Sequence, residues 1–137
     1  MTRIFAALLA TMATAPAFAG GHGPHPMVMA SDQSLANGVV SAEKVTASEN
    51  GWLVVHRTNA DMTPGPVVGY APLREGETAD VAALLTDEVA AGEMLMLMVH
   101  SEAGGNKTGV FEYTLGAKED GPIKVDDKLV MAVITAQ

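Results

Sequence analysis

The sequence predicts an all-β fold, an immunoglobulin-like antiparallel β-sandwich of about seven or eight strands. Three observations carry that expectation. Short runs rich in Val, Leu, Ala and Met recur between turn signals from Asp32 onward. Some of them alternate apolar and polar residues with the period of two that a half-buried strand requires. No internal repeat or coiled-coil pattern competes with that reading, and roughly regular strand spacing over about 105 residues suits two packed sheets.

The chain opens with a segment that is not part of the sandwich. Arg3 precedes an apolar run, Ile4 to Ala15, followed by small residues and Ala17-Phe18-Ala19. A basic start, a short apolar middle and an A-x-A site describe a cleaved signal peptide over residues 1–19, too short for a lasting membrane anchor. Cleavage after Ala17 is the alternative. Residues 20–31 hold three breakers and no period, so they read as a flexible arm. The sandwich is expected over residues 32–137.

Within it, Val39 to Thr46 reads as a strand, with Asn37-Gly38 before it. Asn50-Gly51 ahead of Trp52-Leu53-Val54-Val55-His56 is the strongest local hairpin signal. Thr63-Pro64-Gly65-Pro66 is a turn, because two prolines suit neither a helix interior nor a sheet ladder. Val67 to Tyr70 is a short strand closed by Pro72, and Glu75-Gly76-Glu77 a loop. Asp80 to Val89 suits a helix by propensity, yet the surrounding strand rhythm favours a strand.

The organising stretch is Glu93 to Leu115. Met94 to Val99 is apolar on both faces, so it needs cover on both sides. Phe111, Tyr113 and Leu115 alternate with Glu112 and Thr114, and with Gly104-Gly105-Asn106 between the runs a hairpin is expected. A two-sheet sandwich covers only one face of the first run. The other calls for a covering loop or a partner surface. Gly116 to Pro122 reads as loop, Asp126-Asp127 as a turn, and Leu129 to Thr135 as the last strand.

Composition narrows function. Eight Lys and Arg stand against sixteen Asp and Glu, a formal charge of −8, which disfavours nucleic acid and anionic lipid as partners. No cysteine is present, so disulfides and thiolate metal sites are excluded. No serine sits in a G-x-S-x-G elbow, and neither a phosphate loop nor HExxH occurs, so an enzyme is not expected. The loop Glu102 to Gly109 has too few carboxylates for calcium, and Lys107 sits inside it.

Metal chemistry is the remaining signal. Cleavage after Ala19 exposes Gly20-Gly21-His22, whose amine, two backbone amides and imidazole offer the planar nitrogen set favoured by Cu(II) or Ni(II). His25, Met27 and Met29 add imidazole and thioether donors suited to Cu(I). Met94, Met96, Met98 and His100 share a strand face, but positions two apart begin nearly 7 Å apart, so four cannot meet on one ion. Core packing is the simpler role for these methionines. His56 and His100 each close an apolar run, and the simpler reading is that each hydrogen-bonds locally at its strand end. On neighbouring strands both would emerge at one open end of the sheet, where Glu102 and Asp61 could add oxygen ligands to a zinc or copper site.

Gly51 to His56, Gly65-Pro66-Val67-Val68-Gly69, Leu73 with Gly76, Leu97 to His100 and Gly109 to Tyr113 occur in that order. In this the chain resembles an uncharacterised extracellular domain family, frequent in haloarchaeal surface proteins and some bacterial exported proteins. The resemblance covers about residues 32–135 and implies a β-sandwich without assigned activity. The family often has His-x-Asp where this chain has His100-Ser101-Glu102. From the motifs rather than the resemblance, the function expected is that of a non-enzymatic periplasmic or secreted protein binding copper chiefly through Gly20, Gly21 and His22, with a metal-free adhesion or protein-interaction module as the alternative.

Overall fold

The computed structural model describes residues 23–137, so the expected signal peptide and the Gly20-Gly21-His22 motif lie outside the described residues. The described chain is all-β. Its strands are β1 (Met27–Met29), β2 (Val39–Ala47), β3 (Gly51–Thr58), β4 (Val67–Leu73), β5 (Gly76–Leu85), β6 (Met94–Ser101), β7 (Lys124–Val125), β8 (Lys128–Leu129) and β9 (Met131–Thr135). Seven form one antiparallel sheet in the order β1-β2-β5-β4-β3-β6-β9, and β7 with β8 makes a small hairpin.

The long sheet closes on itself. β4 and β5 share only the pairs Gly69↔Leu85 and Tyr70↔Leu84, and this short seam is the corner. On one side lie β1, β2 and β5; on the other β4, β3, β6 and β9. β1 packs across onto β6 and β9. Between the layers sits an aliphatic core that includes Val40, Val45, Leu53, Val55, Leu95, Leu97, Val99 and Ile134. Alternation explains the membership, since residues two apart on a strand share a face.

Several expectations are met. Val39 to Thr46 lies within β2, and β5 runs from Gly76 to Leu85, so the first half of the ambiguous segment is strand rather than helix, while Gly76 and Glu77, expected in a loop, open that strand. Asp126 and Asp127 both have positive φ, +50° and +61°, as a two-residue hairpin turn demands. Pro72, expected to close the strand, instead lies inside β4, two residues past the seam with β5, where its missing N–H deprives no partner on that side.

Other expectations fail for physical reasons. Asn50-Gly51 does not close a hairpin, because β2 pairs with β1 and β5 while β3 pairs with β4 and β6. The signal there reflects close approach instead. A Cβ on Gly51 would run into the His100 carbonyl, and Asn50 Oδ1 accepts the Glu75 N–H at 2.9 Å. Met27 to Met29, expected in the flexible arm, form β1 against β2, with Val28 buried.

The expected hairpin between Met94–Val99 and Val110–Leu115 is also absent. Both edges of β6 are taken, by β3 and β9. Residues 102–122 instead form a loop stapled by carboxylates. Glu102 accepts the N–H of Gly109, Glu112 accepts those of Asn106 and Lys107, and Asp120 accepts that of Glu112. This loop lies over the outer face of β3 and β6, supplying the cover that the second apolar face of β6 requires.

Candidate metal centre

The outer face is built by register. Along the β3–β6 ladder, Trp52 stands opposite His100, Val54 opposite Met98 and His56 opposite Met96. These six side chains therefore share the face turned away from the aliphatic core. His56 and His100 begin four ladder positions apart, about 13 Å by strand rise. Both rings lean inward over the Val54–Met98 pair and meet. Their Nε2 atoms lie 3.4 Å apart. Both residues are 0% exposed.

Local backbone geometry aims each ring. The register of β3 against β4 shifts between Val55 and His56, a bulge that brings the Thr63–Pro66 turn over the strand. The His56 Nδ1 then lies 2.8 Å from the Gly65 carbonyl oxygen. Gly65 is required at that spot: its N–H donates to the Arg57 carbonyl, and a Cβ would press on the same oxygen. On the other strand, His100 Nδ1 lies 2.6 Å from the Asp120 carbonyl oxygen. Asp120 is buried at φ +46°, and its own N–H donates to the Ala103 carbonyl.

Those two contacts fix the tautomers. A carbonyl oxygen only accepts, so each Nδ1 carries the proton and donates it. In a neutral ring the opposite nitrogen, Nε2, is then bare. Two lone pairs thus face each other at 3.4 Å. That contact becomes a hydrogen bond only if one ring is protonated. Burial works against it. Desolvation lowers the His100 pKa to about 4, the Asp120 carbonyl bond opposing and the nearby His56 adding to the fall. Desolvation also lowers His56, against its bond to Gly65. Near neutral pH the pair lacks a proton to share.

The loop roofs the pair with aromatic rings. Tyr113 sets its edge against His100 and His56 at centroid distances of 4.6 and 5.7 Å. Phe111 stacks on Tyr70 at 4.4 Å, and Trp52 packs edge-on to both. Glu102, at the start of the loop, accepts the Trp52 indole N–H at 2.7 Å. Met96 and Met98 are buried beneath.

The site differs from the expected one in its ligands. The structure brings His56 and His100 together, inside the protein rather than at an open sheet end. It does not add Glu102 or Asp61. Glu102 is committed to Trp52 and Gly109, and Asp61 is exposed in the β3–β4 loop. Among the described residues no group of three His, Cys, Asp or Glu side chains is placed to share a metal ion. His25 and Met27 line an open cleft of about 350 Å³ with Met131, a cleft whose lining includes neither His56 nor His100. Met29 is exposed on the same strand.

Sequence reasoning missed Asp120, the Gly65 carbonyl and Tyr113. Backbone carbonyls leave no mark in a sequence. The alternation of Phe111, Tyr113 and Leu115 was the usable signal: Phe111 and Tyr113 do cover the chamber, but Leu115 is exposed and the strand it suggested does not form.

A family model described as "Domain of unknown function (DUF7282)" matches residues 26–137, a span holding all nine strands and both histidines. The chain belongs to the DUF7282 family. The DUF7282 match starts one residue after His25, so Gly20, Gly21 and His22 fall outside it. No curated protein matches the chain, and no solved structure does. The DUF7282 domain's outer face is closed by its own loop, leaving Tyr70, Leu84, Val110 and Leu115 as exposed apolar side chains nearby.

Proposed function

We propose that this is an exported, non-enzymatic copper-binding protein whose DUF7282 domain holds the ion between His56 and His100. The observation that carries the reading is the pair of Nε2 lone pairs facing one another at 3.4 Å, each ring locked by a Nδ1–H donated to a carbonyl. Metal-ligating histidines are held in this way, with the second nitrogen donating to a carbonyl or carboxylate. A cation between the rings would relieve that repulsion. The leader-like residues 1–19 support export, to the periplasm or beyond. So does the resemblance to a family frequent in haloarchaeal surface proteins and some bacterial exported proteins.

Gly20, Gly21 and His22 form a separate capture motif for Cu(II) or Ni(II) on this reading, with His25, Met27 and Met29 as auxiliary donors at its side. The two sites are separable by experiment. Cu(I) is supplied under reductant against a chromogenic chelator, to the wild type and to His22→Ala, His56→Gln and His100→Gln variants, each checked for fold by circular dichroism. The wild type and His22→Ala retain one equivalent, and both pair variants lose it. Equal retention by folded His56→Gln and wild type would overturn the reading.

A further inference from the structure

The N···N separation says more than that a metal fits; it limits which one. We propose that the site is specific for Cu(I) and that the Met98 thioether is its third ligand, an inference resting on the His56–His100 reading above. Two metal–nitrogen bonds of about 2.0 Å spanning the pair subtend roughly 115° at the metal. A linear two-coordinate ion needs the nitrogens about 4 Å apart, and a square-planar ion with cis nitrogens needs about 2.8 Å. The observed 3.4 Å suits neither. It suits a trigonal or tetrahedral centre, which needs at least one further donor.

The described residues offer few candidates for that donor. No third His, Cys, Asp or Glu is placed with the pair. The Tyr113 hydroxyl, in the roof, accepts the Gly116 N–H at 3.3 Å. The carbonyls of Gly65 and Asp120 face the far nitrogens of the rings. Met98 is the residue the register sets between the histidines: it stands opposite Val54, midway along the ladder from Trp52 to His56. It is 1% exposed. Met96 lies beyond, opposite His56 and four residues from His100.

Charge decides between the ions. Two neutral imidazoles and a thioether bring no negative charge, so the bound ion keeps its full charge inside an apolar chamber. The cost of burying an ion rises with the square of its charge, so a divalent ion pays about four times the penalty of a monovalent one. Thioether sulfur also favours soft Cu(I) over Zn(II). Both arguments select the monovalent ion.

The test uses the protein with His22→Ala, His25→Ala, Met27→Leu and Met29→Leu in every sample, so that the donors of the amino-terminal arm contribute nothing. Cu(I) with reductant, Ag(I) as a monovalent stand-in and Zn(II) are titrated separately into the parent and into Met98→Leu, Met96→Leu and His100→Gln. Methionine to leucine conserves volume and is well tolerated in cores, so the first two variants keep the fold. Expected is a preference for Cu(I) and Ag(I) over Zn(II) of at least a hundredfold. Met98→Leu weakens Cu(I) at least tenfold, Met96→Leu changes it less than twofold, and X-ray absorption of the parent complex shows a sulfur neighbour that Met98→Leu removes. Wild-type-like Cu(I) affinity in Met98→Leu, or equal retention of Zn(II), overturns this inference while the histidine pair stands, provided His100→Gln still abolishes binding. If His100→Gln binds as the parent does, or the parent binds none of the three ions, the pair itself is wrong and the inference falls with it.

Discussion

The two faces of the β3–β6 ladder carry similar amounts of buried side chain and do different work. The inner face presents Leu53, Val55, Leu95, Leu97 and Val99 to the opposite layer. The outer face presents Trp52, Val54, His56, Met96, Met98 and His100 to a loop. Aliphatic groups against a second sheet give shape-complementary packing that asks nothing of pH or ligands. The outer chamber buries two imidazoles and two thioethers under a roof held by side chain to backbone hydrogen bonds. One face stabilises the protein; the other, on the reading proposed above, holds an ion.

Truncation on the inner face should give the largest effect. Leu97→Ala leaves a cavity between the layers and should lower unfolding free energy by about 2–5 kcal/mol in a urea titration. Met98→Leu, its neighbour on the other face, should cost less than about 1.5 kcal/mol. Equal costs would mean that the two faces share one packing role.

Of the two faces, acid should act on the outer one, where the buried imidazoles lie. In the metal-free protein the His100 pKa is lowered to about 4, against 6.5 for the ordinary side chain. Between those values the unfolded chain takes up a proton that the folded chain refuses, so stability is complete above pH 6.5 and falls as the pH drops toward 4. The loss attributable to His100 is about 3 kcal/mol at most, with His56 acting in the same direction. Tyr113 and Asp120 are the other titratable residues against the His100 ring. Subtracting the profile of His100→Gln isolates the histidine contribution from the carboxylates that titrate below pH 5. Parallel profiles for the two proteins would contradict the buried neutral pair.

Loosening the roof should cost less. Asp120→Ala removes the acceptor of the Glu112 N–H and should destabilise by about 1–3 kcal/mol. Hydrogen exchange should quicken over residues 103–121 and stay slow in β3 and β6. Uniform acceleration would show that the loop and sheet unfold as one unit. Smallest of all, Lys44→Ala removes an exposed ion pair with Glu77 between β2 and β5, at 3.2 Å, and should change stability by less than about 0.5 kcal/mol.

The contrast also explains what could be read in advance. Strand positions came through because alternation and turn residues act locally, as at β2, β9 and the Asp126-Asp127 turn. The demand for cover on both faces of β6 was legible in Met94 to Val99, and so was the shared face of Met96, Met98 and His100. Pairing was not legible. Asn50-Gly51 carries hairpin chemistry, yet Gly51 is there to let the His100 carbonyl approach. Whether Phe111 to Leu115 pairs with β6 depends on β3 and β9 having claimed its edges first. The meeting of His56 and His100 needed the β3–β6 register and two carbonyl acceptors, from Gly65 and Asp120, which lie in distant loops and leave no trace in residue type.

The most direct test is long-range proton–nitrogen NMR of the two imidazoles, first metal-free at neutral pH and then with one equivalent of Cu(I) under reductant. The account predicts Nδ1-protonated neutral rings at both positions, and a simultaneous shift of both Nε2 resonances, complete at one equivalent, with Nδ1 still protonated. A metal-free ring protonated at Nε2, or Nε2 signals unmoved by Cu(I), would contradict it.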